Sequence, residues 1–254
     1  MDKTQQGHVK ADIENGIASI EFYHPSHNSL PSNLLNALKE SIENHGRNDD
    51  VNLIVVKSAG DRTFCAGASF DELVRIENEV DGKRFFMGFA SVINAIRKCP
   101  KIVIGRVQGK AVGGGVGLSS AFDYCMATKY ASVKLSELAV GIGPFVIGPA
   151  VERKVGVSAF SQMAINATEW QTAEWAGQRG LFHEVFASTE QLDEYLTHFC
   201  EKLNTMNPEA LALLKKVFWE GTEHWDSLLE ERAEMSGRLV LSKFAKETIG
   251  GFLK

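Results

Sequence analysis

The sequence predicts an α/β fold, and three observations point there. An alternating stretch near the amino terminus is split by an Asn-Gly pair, a strand–helix rhythm follows, and the last quarter of the chain carries helical patterns only. In "VKADIENGIASIEFY", apolar and polar residues alternate on either side of Asn15-Gly16. That pair favours the positive backbone angles of a tight hairpin turn, so the stretch reads as a β-hairpin. Pro31 and Ser32 then start a helix whose Leu34, Leu35, Leu38 and Ile42 share one face, followed by the apolar run "NLIVVKSAG", a buried strand. The rhythm continues with a helix at about residues 83–98, the strand "KIVIGRV", a glycine-led helix from Gly114, and short strands at "YCMAT" and "SVKL". Beyond about Ser188 no strand pattern appears. Three amphipathic segments follow, near residues 190–203, 208–219 and 225–240, with Asn207 placed to cap the second and Pro208 in its first turn. The shift divides the chain into a sheet-and-helix core, residues 1–188, and a helical region, residues 189–254. Neither an internal repeat nor a low-complexity linker is present.

Composition narrows the function classes. With 254 residues, 44% of them hydrophobic, the chain can bury a full core as one large domain. The formal net charge is −5, with both signs interspersed, so no basic stripe is available for nucleic acid. The opening "MDKTQQGHVKADIENG" lacks the apolar core of a signal peptide, and the uncharged run at residues 138–151 is broken by Gly and Pro and too short to span a bilayer. A soluble, cytoplasmic protein without a membrane partner is expected. Cys65, Cys99, Cys125 and Cys200 are far apart, with no C-x-x-C pair and no His at zinc-ligand spacing, so reduced thiols and no metal are expected.

The stretch "KAVGGGVGLSSAFD", residues 110–123, sets three glycines where a strand gives way to a helix. The amino end of a helix presents unpaired N–H groups that attract negative charge, and glycines let a ligand approach the backbone. An oxyanion pocket is one reading. Close packing of the helix on the sheet is the other, and the triplet alone does not separate them. Phosphate signatures do not help: "GGGVGL" misses the last glycine of G-x-G-x-x-G, and "GRVQGKA" is not a P-loop. A second stretch, "RTFCAGASFDEL", has the same order of strand, small residues and helix start. Two such loops could offer converging N–H donors to one oxygen, as stabilisation of an enolate requires.

Taken together, "FCAGASFDEL", "GKAVGGGVGLSSAFDYCMAT", "LSELAVGIGP" and "NPEALALLKK", in this order, resemble the crotonase superfamily, the enoyl-CoA hydratases and isomerases. The resemblance covers nearly the whole chain. It implies a spiral of ββα turns forming two roughly perpendicular sheets, and a carboxy-terminal helical region that mediates homotrimer contacts, commonly in a hexamer built from two trimers. It also implies an acyl-CoA thioester substrate and no cofactor beyond that substrate's own coenzyme A. The thioester oxygen is then expected on the backbone N–H groups of Ala68 and Gly114, with Gly113 shaping the turn and coenzyme A passing near Cys65 and Ala66.

In the family's hydratases two glutamates handle one water. The first position is Gly117 here; the second matches Glu137. A single placed carboxylate can take a proton from one carbon and return it to another, which suits a double-bond shift better than hydration. The resemblance therefore tilts toward a single-glutamate enoyl-CoA isomerase, with a hydratase or dehydratase of an unusual enoyl-CoA, or a non-catalytic CoA-binding subunit, as alternatives. Ser69 stands where many members carry Asp.

Other candidates rank lower. Ser119 and Ser120 lie outside a G-x-S-x-G elbow, and nothing adjacent activates Cys65. Asp71, Glu72 and Arg75 read as a solvated helix face. Lys110 and Lys134 suit either coenzyme A phosphates or plain surface, and Phe85, Phe86 and Phe89 suit either core or an acyl pocket.

Overall fold

In the computed structural model, which describes residues 7–251, strands β1 (His8–Glu14) and β2 (Ile17–Tyr23) form the predicted hairpin. Asn15 and Gly16 both take positive φ, 49° and 76°, as a two-residue turn matched to strand twist requires. Residues 1–6 and 252–254, the outer ends of the two sequence segments, lie outside the described residues. Helix α1 (Ser32–Arg47) buries the predicted face of Leu34, Leu35, Leu38 and Ile42. Strand β3 (Leu53–Ser58) follows, then the short β4 (Thr63–Cys65) and one turn of helix, α2 (Phe70–Leu73).

Helix α3 (Glu79–Lys98) starts four residues before its apolar pattern suggested. Asn78 caps it by accepting from the Asp81 N–H at 2.9 Å, and Glu79 and Asp81 place negative charge at its amino end. Next come β5 (Ile102–Val107), β6 (Lys110–Val112), the glycine-led α4 (Gly114–Ala121), β7 (Tyr124–Thr128) and β8 (Ser132–Lys134). Helix α5 (Gly148–Ile165) is kinked at Gly156, where φ is 75°. After it lie β9 (Gln171–Thr172), α6 (Ala173–Gln178), β10 (Glu184–Phe186), α7 (Thr189–Asn204), α8 (Pro208–Phe218), α9 (Trp225–Leu239) and α10 (Lys243–Gly251).

The strands form two sheets. One runs β1-β2-β3-β5-β7-β10, antiparallel in the hairpin and parallel from β2 onward. Its central β5 is buried at every residue, as expected of a parallel strand covered on both faces. The smaller sheet runs β4-β6-β8-β9, with only its last pair antiparallel.

The carboxy-terminal helices share the main core: Trp219, Trp225, Leu229 and Ala233 belong to the same apolar cluster as Ile54, Phe64 and Val116. Polar contacts reinforce this. Lys83 on α3 reaches Glu230 and Glu234 on α9, at 2.6 and 2.8 Å. Asp123, almost wholly buried, accepts from the Lys215 ammonium at 2.5 Å, the Trp219 indole N–H at 2.8 Å and the Val103 N–H at 2.8 Å. Asn207 caps α8 as predicted, accepting from the N–H groups of Glu209 and Ala210.

Candidate active site

The two small-residue loops meet because β4 and β6 are neighbours in the smaller sheet, Thr63 opposite Lys110 and Cys65 opposite Ala111. Parallel strands deliver their following loops to the same end. After β4, the Ala66 N–H donates to the His27 carbonyl at 3.2 Å and the Leu30 N–H to the Gly67 carbonyl at 2.8 Å. After β6, the Gly113 N–H donates to the Lys134 carbonyl at 2.9 Å, and Gly113 turns into α4 with φ 51° and ψ −114°. A Cβ on Gly67 would stand 3.1 Å from the Val112 oxygen and 3.7 Å from the Gly114 nitrogen, so the loops are in contact. Among the described residues, the N–H groups of Ala68 and Gly114 have no hydrogen-bond acceptor. For Gly114 this follows from its place as the first residue of α4.

Ala66, Gly67, Ala68, Gly113 and Gly114 line one cavity of about 160 Å³, and Glu137 lines it with them. Leu135 anchors the end of β8 in the core, and a 3₁₀ turn (Leu138–Val140) begins directly after Glu137. The Glu137 carbonyl accepts from the N–H groups of Val140 and Ile142, at 3.2 and 3.0 Å, which holds the residue in place. Its carboxylate lies against Gly113, whose added Cβ would stand 2.8 Å from Oε1. Among the described residues, nothing forms a hydrogen bond with the buried Oε2. Burial pushes the carboxyl up to about 7, opposed only by the pull of its own backbone N–H. A carboxyl near neutrality that nothing else occupies is suited to taking up and returning a proton.

Much of the rest of the wall is apolar, with Phe85, Phe86 and Phe89 among its members, and each of the three also packs in an apolar cluster, so they serve core and pocket at once. Among the described residues the other polar side chains on it are Ser136 and Ser236, and the Ser236 hydroxyl already donates to the Arg232 carbonyl at 3.1 Å. Sequence reasoning missed Ile147, which carries the main steric information about the site. A Cβ on Gly117 would stand 2.5 Å from Ile147 Cγ2, so Ile147 fills the space a side chain at 117 would need. Phe70, Phe145 and Ser236 were missed too, since only folding brings them to this wall.

The remaining candidates fall elsewhere. Cys65 is fully buried and stands outside the cavity wall, its thiol pushed up to about 12 by burial. The hydroxyls of Ser119 and Ser120 donate to the carbonyls of Gly115 and Val116, one turn back in α4. Ser69 caps α2, accepting from the Glu72 N–H at 3.4 Å, which is how the Ala68 loop is braced without an Asp. Glu72 in turn accepts from the N–H and hydroxyl of Ser32, at 3.0 and 2.6 Å, tying α2 to the start of α1. Lys110 and Lys134 both lie over the Trp170 ring, 5.1 and 4.6 Å from its centre. Among the described residues, no group of three or more His, Cys, Asp or Glu is placed to hold a metal, and no helix is long and apolar enough to cross a membrane.

Comparison with known proteins gives the same outline. The profile of the enoyl-CoA hydratase/isomerase family matches residues 12–252. A peroxisomal Delta(3,5)-Delta(2,4)-dienoyl-CoA isomerase of Arabidopsis thaliana is 26% identical over 231 residues, 85% of this chain and 81% of that protein. A probable enoyl-CoA hydratase of Bacillus subtilis is 25% identical over 248 residues, 97% of this chain and 95% of that protein. In structure, an enoyl-CoA hydratase from Bacillus halodurans superposes with a TM-score of 0.88 at 21% identity, covering 96% of this chain and 99% of that one.

Proposed function

From the premise that this chain belongs to the enoyl-CoA hydratase/isomerase family of the crotonase superfamily, we propose that it shifts the double bond of an enoyl-CoA, with Glu137 as its acid/base. In this reading the thioester oxygen accepts hydrogen bonds from the N–H groups of Ala68 and Gly114. The Glu137 carboxylate removes a proton from the α-carbon of a 3-enoyl thioester. The C–H electron pair moves into a dienolate whose negative charge rests on the oxygen between the two donors. Glu137 then returns the proton to the γ-carbon, the double bond settles between the α- and β-carbons, and the carboxylate is regenerated. Each donor of this kind lowers the barrier by about 2.7 to 4 kcal/mol.

The observation that carries the reading is Gly117 with Ile147 packed against it. Among the described residues the site offers one carboxyl, and the space that a side chain at 117 would need is filled by the hydrocarbon side chain of Ile147. Adding water across a double bond needs the water activated and the carbon protonated, whereas a proton shift needs one group that does both in turn. Relatives bearing hydratase names keep hydration as the second reading. Incubation of a 3-enoyl-CoA and a 2-enoyl-CoA in ¹⁸O-labelled water separates them. Conversion of the 3-enoyl to the 2-enoyl thioester without label supports isomerisation; label in a 3-hydroxyacyl product overturns it. Binding of both thioesters without turnover of either would mean a CoA-binding subunit without catalysis.

We also propose that the protein assembles as a homotrimer or as a hexamer of two trimers. Helix α8 leaves Leu213, Leu214, Val217 and Phe218 exposed, more apolar surface than an isolated surface helix of 11 residues needs to show. Light scattering that gave a monomer mass would contradict this.

A further inference from the structure

The cavity beside Glu137 bounds what the acyl group can be. Its volume, about 160 Å³, is close to that of the roughly 150 Å³ apolar cavities that accept a benzene ring. Among the described residues, no Lys, Arg or His stands on its wall. Phe85 and Phe86 meet edge to face, 5.1 Å between ring centres. Phe86 is wedged between the main core and a second apolar cluster. In that cluster Ala245 and Ile249 of α10 pack together with Phe85 and Ile142 of the wall, so α10 lies against the residues that form it.

We propose, resting on the acyl-CoA reading above, that the site takes a compact, uncharged, apolar acyl group of about six carbons or fewer, and that Phe86 sets this limit. A longer chain has to displace Phe86 and the wall residues that α10 lies against. An acyl group ending in a carboxylate brings a second negative charge toward Glu137 with no cation to receive it, at a desolvation cost that the apolar wall does not return. An apolar chain gains affinity at every methylene it buries, by about fourfold each, until the pocket is full.

The test uses saturated thioesters, which the enzyme cannot turn over, so binding is read apart from chemistry. Butanoyl-, hexanoyl-, octanoyl-, dodecanoyl- and adipoyl-CoA, with free coenzyme A as reference, are titrated calorimetrically into the protein and its Phe86→Ala variant. Affinity is expected to rise from butanoyl to hexanoyl, and dodecanoyl- and adipoyl-CoA are each expected to bind about tenfold or more weaker than hexanoyl-CoA. In Phe86→Ala, the optimum moves to octanoyl-CoA. Dodecanoyl- or adipoyl-CoA binding as tightly as hexanoyl-CoA overturns the size or charge limit. An unchanged optimum in a folded Phe86→Ala, or in Phe86→Leu should the alanine variant not fold, overturns the role of Phe86. Failure of every thioester to bind more tightly than free coenzyme A is a different result: it rejects the acyl-CoA reading itself.

Discussion

The carboxylate of Glu137 rests on Gly113: a Cβ at residue 113 would stand 2.8 Å from Oε1 and 3.3 Å from the carboxyl carbon. Gly113 also turns the chain into α4 and so sets the direction of the Gly114 N–H. One glycine thus fixes the distance between the proposed acid/base and one proposed oxyanion donor. Gly113→Ala combines strain at φ 51° with a contact the carboxylate must yield to, and a destabilisation of about 1 to 3 kcal/mol is expected. Turnover measured on the folded fraction should fall by at least about tenfold, equivalent to 1.4 kcal/mol of transition-state stabilisation. Denaturant unfolding with steady-state kinetics checks both, and an alanine variant with parental kcat would break the link.

The buried Glu137 carboxyl makes stability depend on pH in a defined direction. Its carboxyl titrates at about 7 in the folded protein, against 4.5 for an ordinary glutamate. The folded state therefore keeps a proton that the unfolded chain gives up in this interval. The resulting stability is fully present below 4.5 and is lost as pH rises through 7, by up to about 3 kcal/mol. Glu137→Gln has no such proton to lose. Its stability relative to the parent is expected to increase between pH 5 and pH 8 in urea melts; a pH-independent difference would show that the carboxyl titrates normally. For the parent enzyme, turnover should rise with pH toward 7 as the base ionises.

Gly117 and Ile147 make the missing carboxylate a packing matter as well as a chemical one. In Gly117→Glu the new side chain meets Ile147 Cγ2, and a loss of about 1 to 3 kcal/mol is expected, without any hydratase activity. Adding Ile147→Ala opens room for the glutamate, and the double variant should be more stable than additivity predicts. Thermal melts of the two single variants and the double variant measure that coupling. Strictly additive effects would mean that Ile147 does not hold the place.

Much of this was legible in the sequence, for physical reasons. The hairpin, α1 and the central strands carry strong periodicity or turn chemistry, and Glu137 was found because it lies in a motif. Helix α5 was not read because its apolar residues do not gather on one face and Gly156 interrupts it. Strands β6 and β9, of three and two residues, are too short to show any period, whereas β4 was read from the strand, small residues and helix start of its stretch. The contact between the two loops depends on the pairing of β4 with β6, about 46 residues apart, and neither the burial of Glu137 nor the wall at Ile147 is a local property.

The Asp123–Lys215 pair joins the end of α4 to the tail across 92 residues of sequence. Removing one partner leaves a charge buried and uncompensated. Lys215→Met is expected to cost about 3 to 5 kcal/mol, and Asp123→Asn with Lys215→Met less than the sum of the two single changes. Urea unfolding of the three variants checks this; a cost for Lys215→Met below about 1 kcal/mol would place the pair among ordinary surface ion pairs.

The most direct test of Glu137 as the base is the proton shift from the α-carbon to the γ-carbon. 3-Hexenoyl-CoA is incubated in D₂O with the parent protein and with Glu137→Gln, while calorimetry records binding to each. Glu137 as base requires conversion to the 2-enoyl thioester with the parent, the solvent deuterium that the carboxyl exchanges entering at the γ-carbon on forward return and at the α-carbon on reversal, and neither conversion nor exchange with Glu137→Gln, whose affinity for the thioester stays within about threefold of the parent. Undiminished conversion in Glu137→Gln would contradict it.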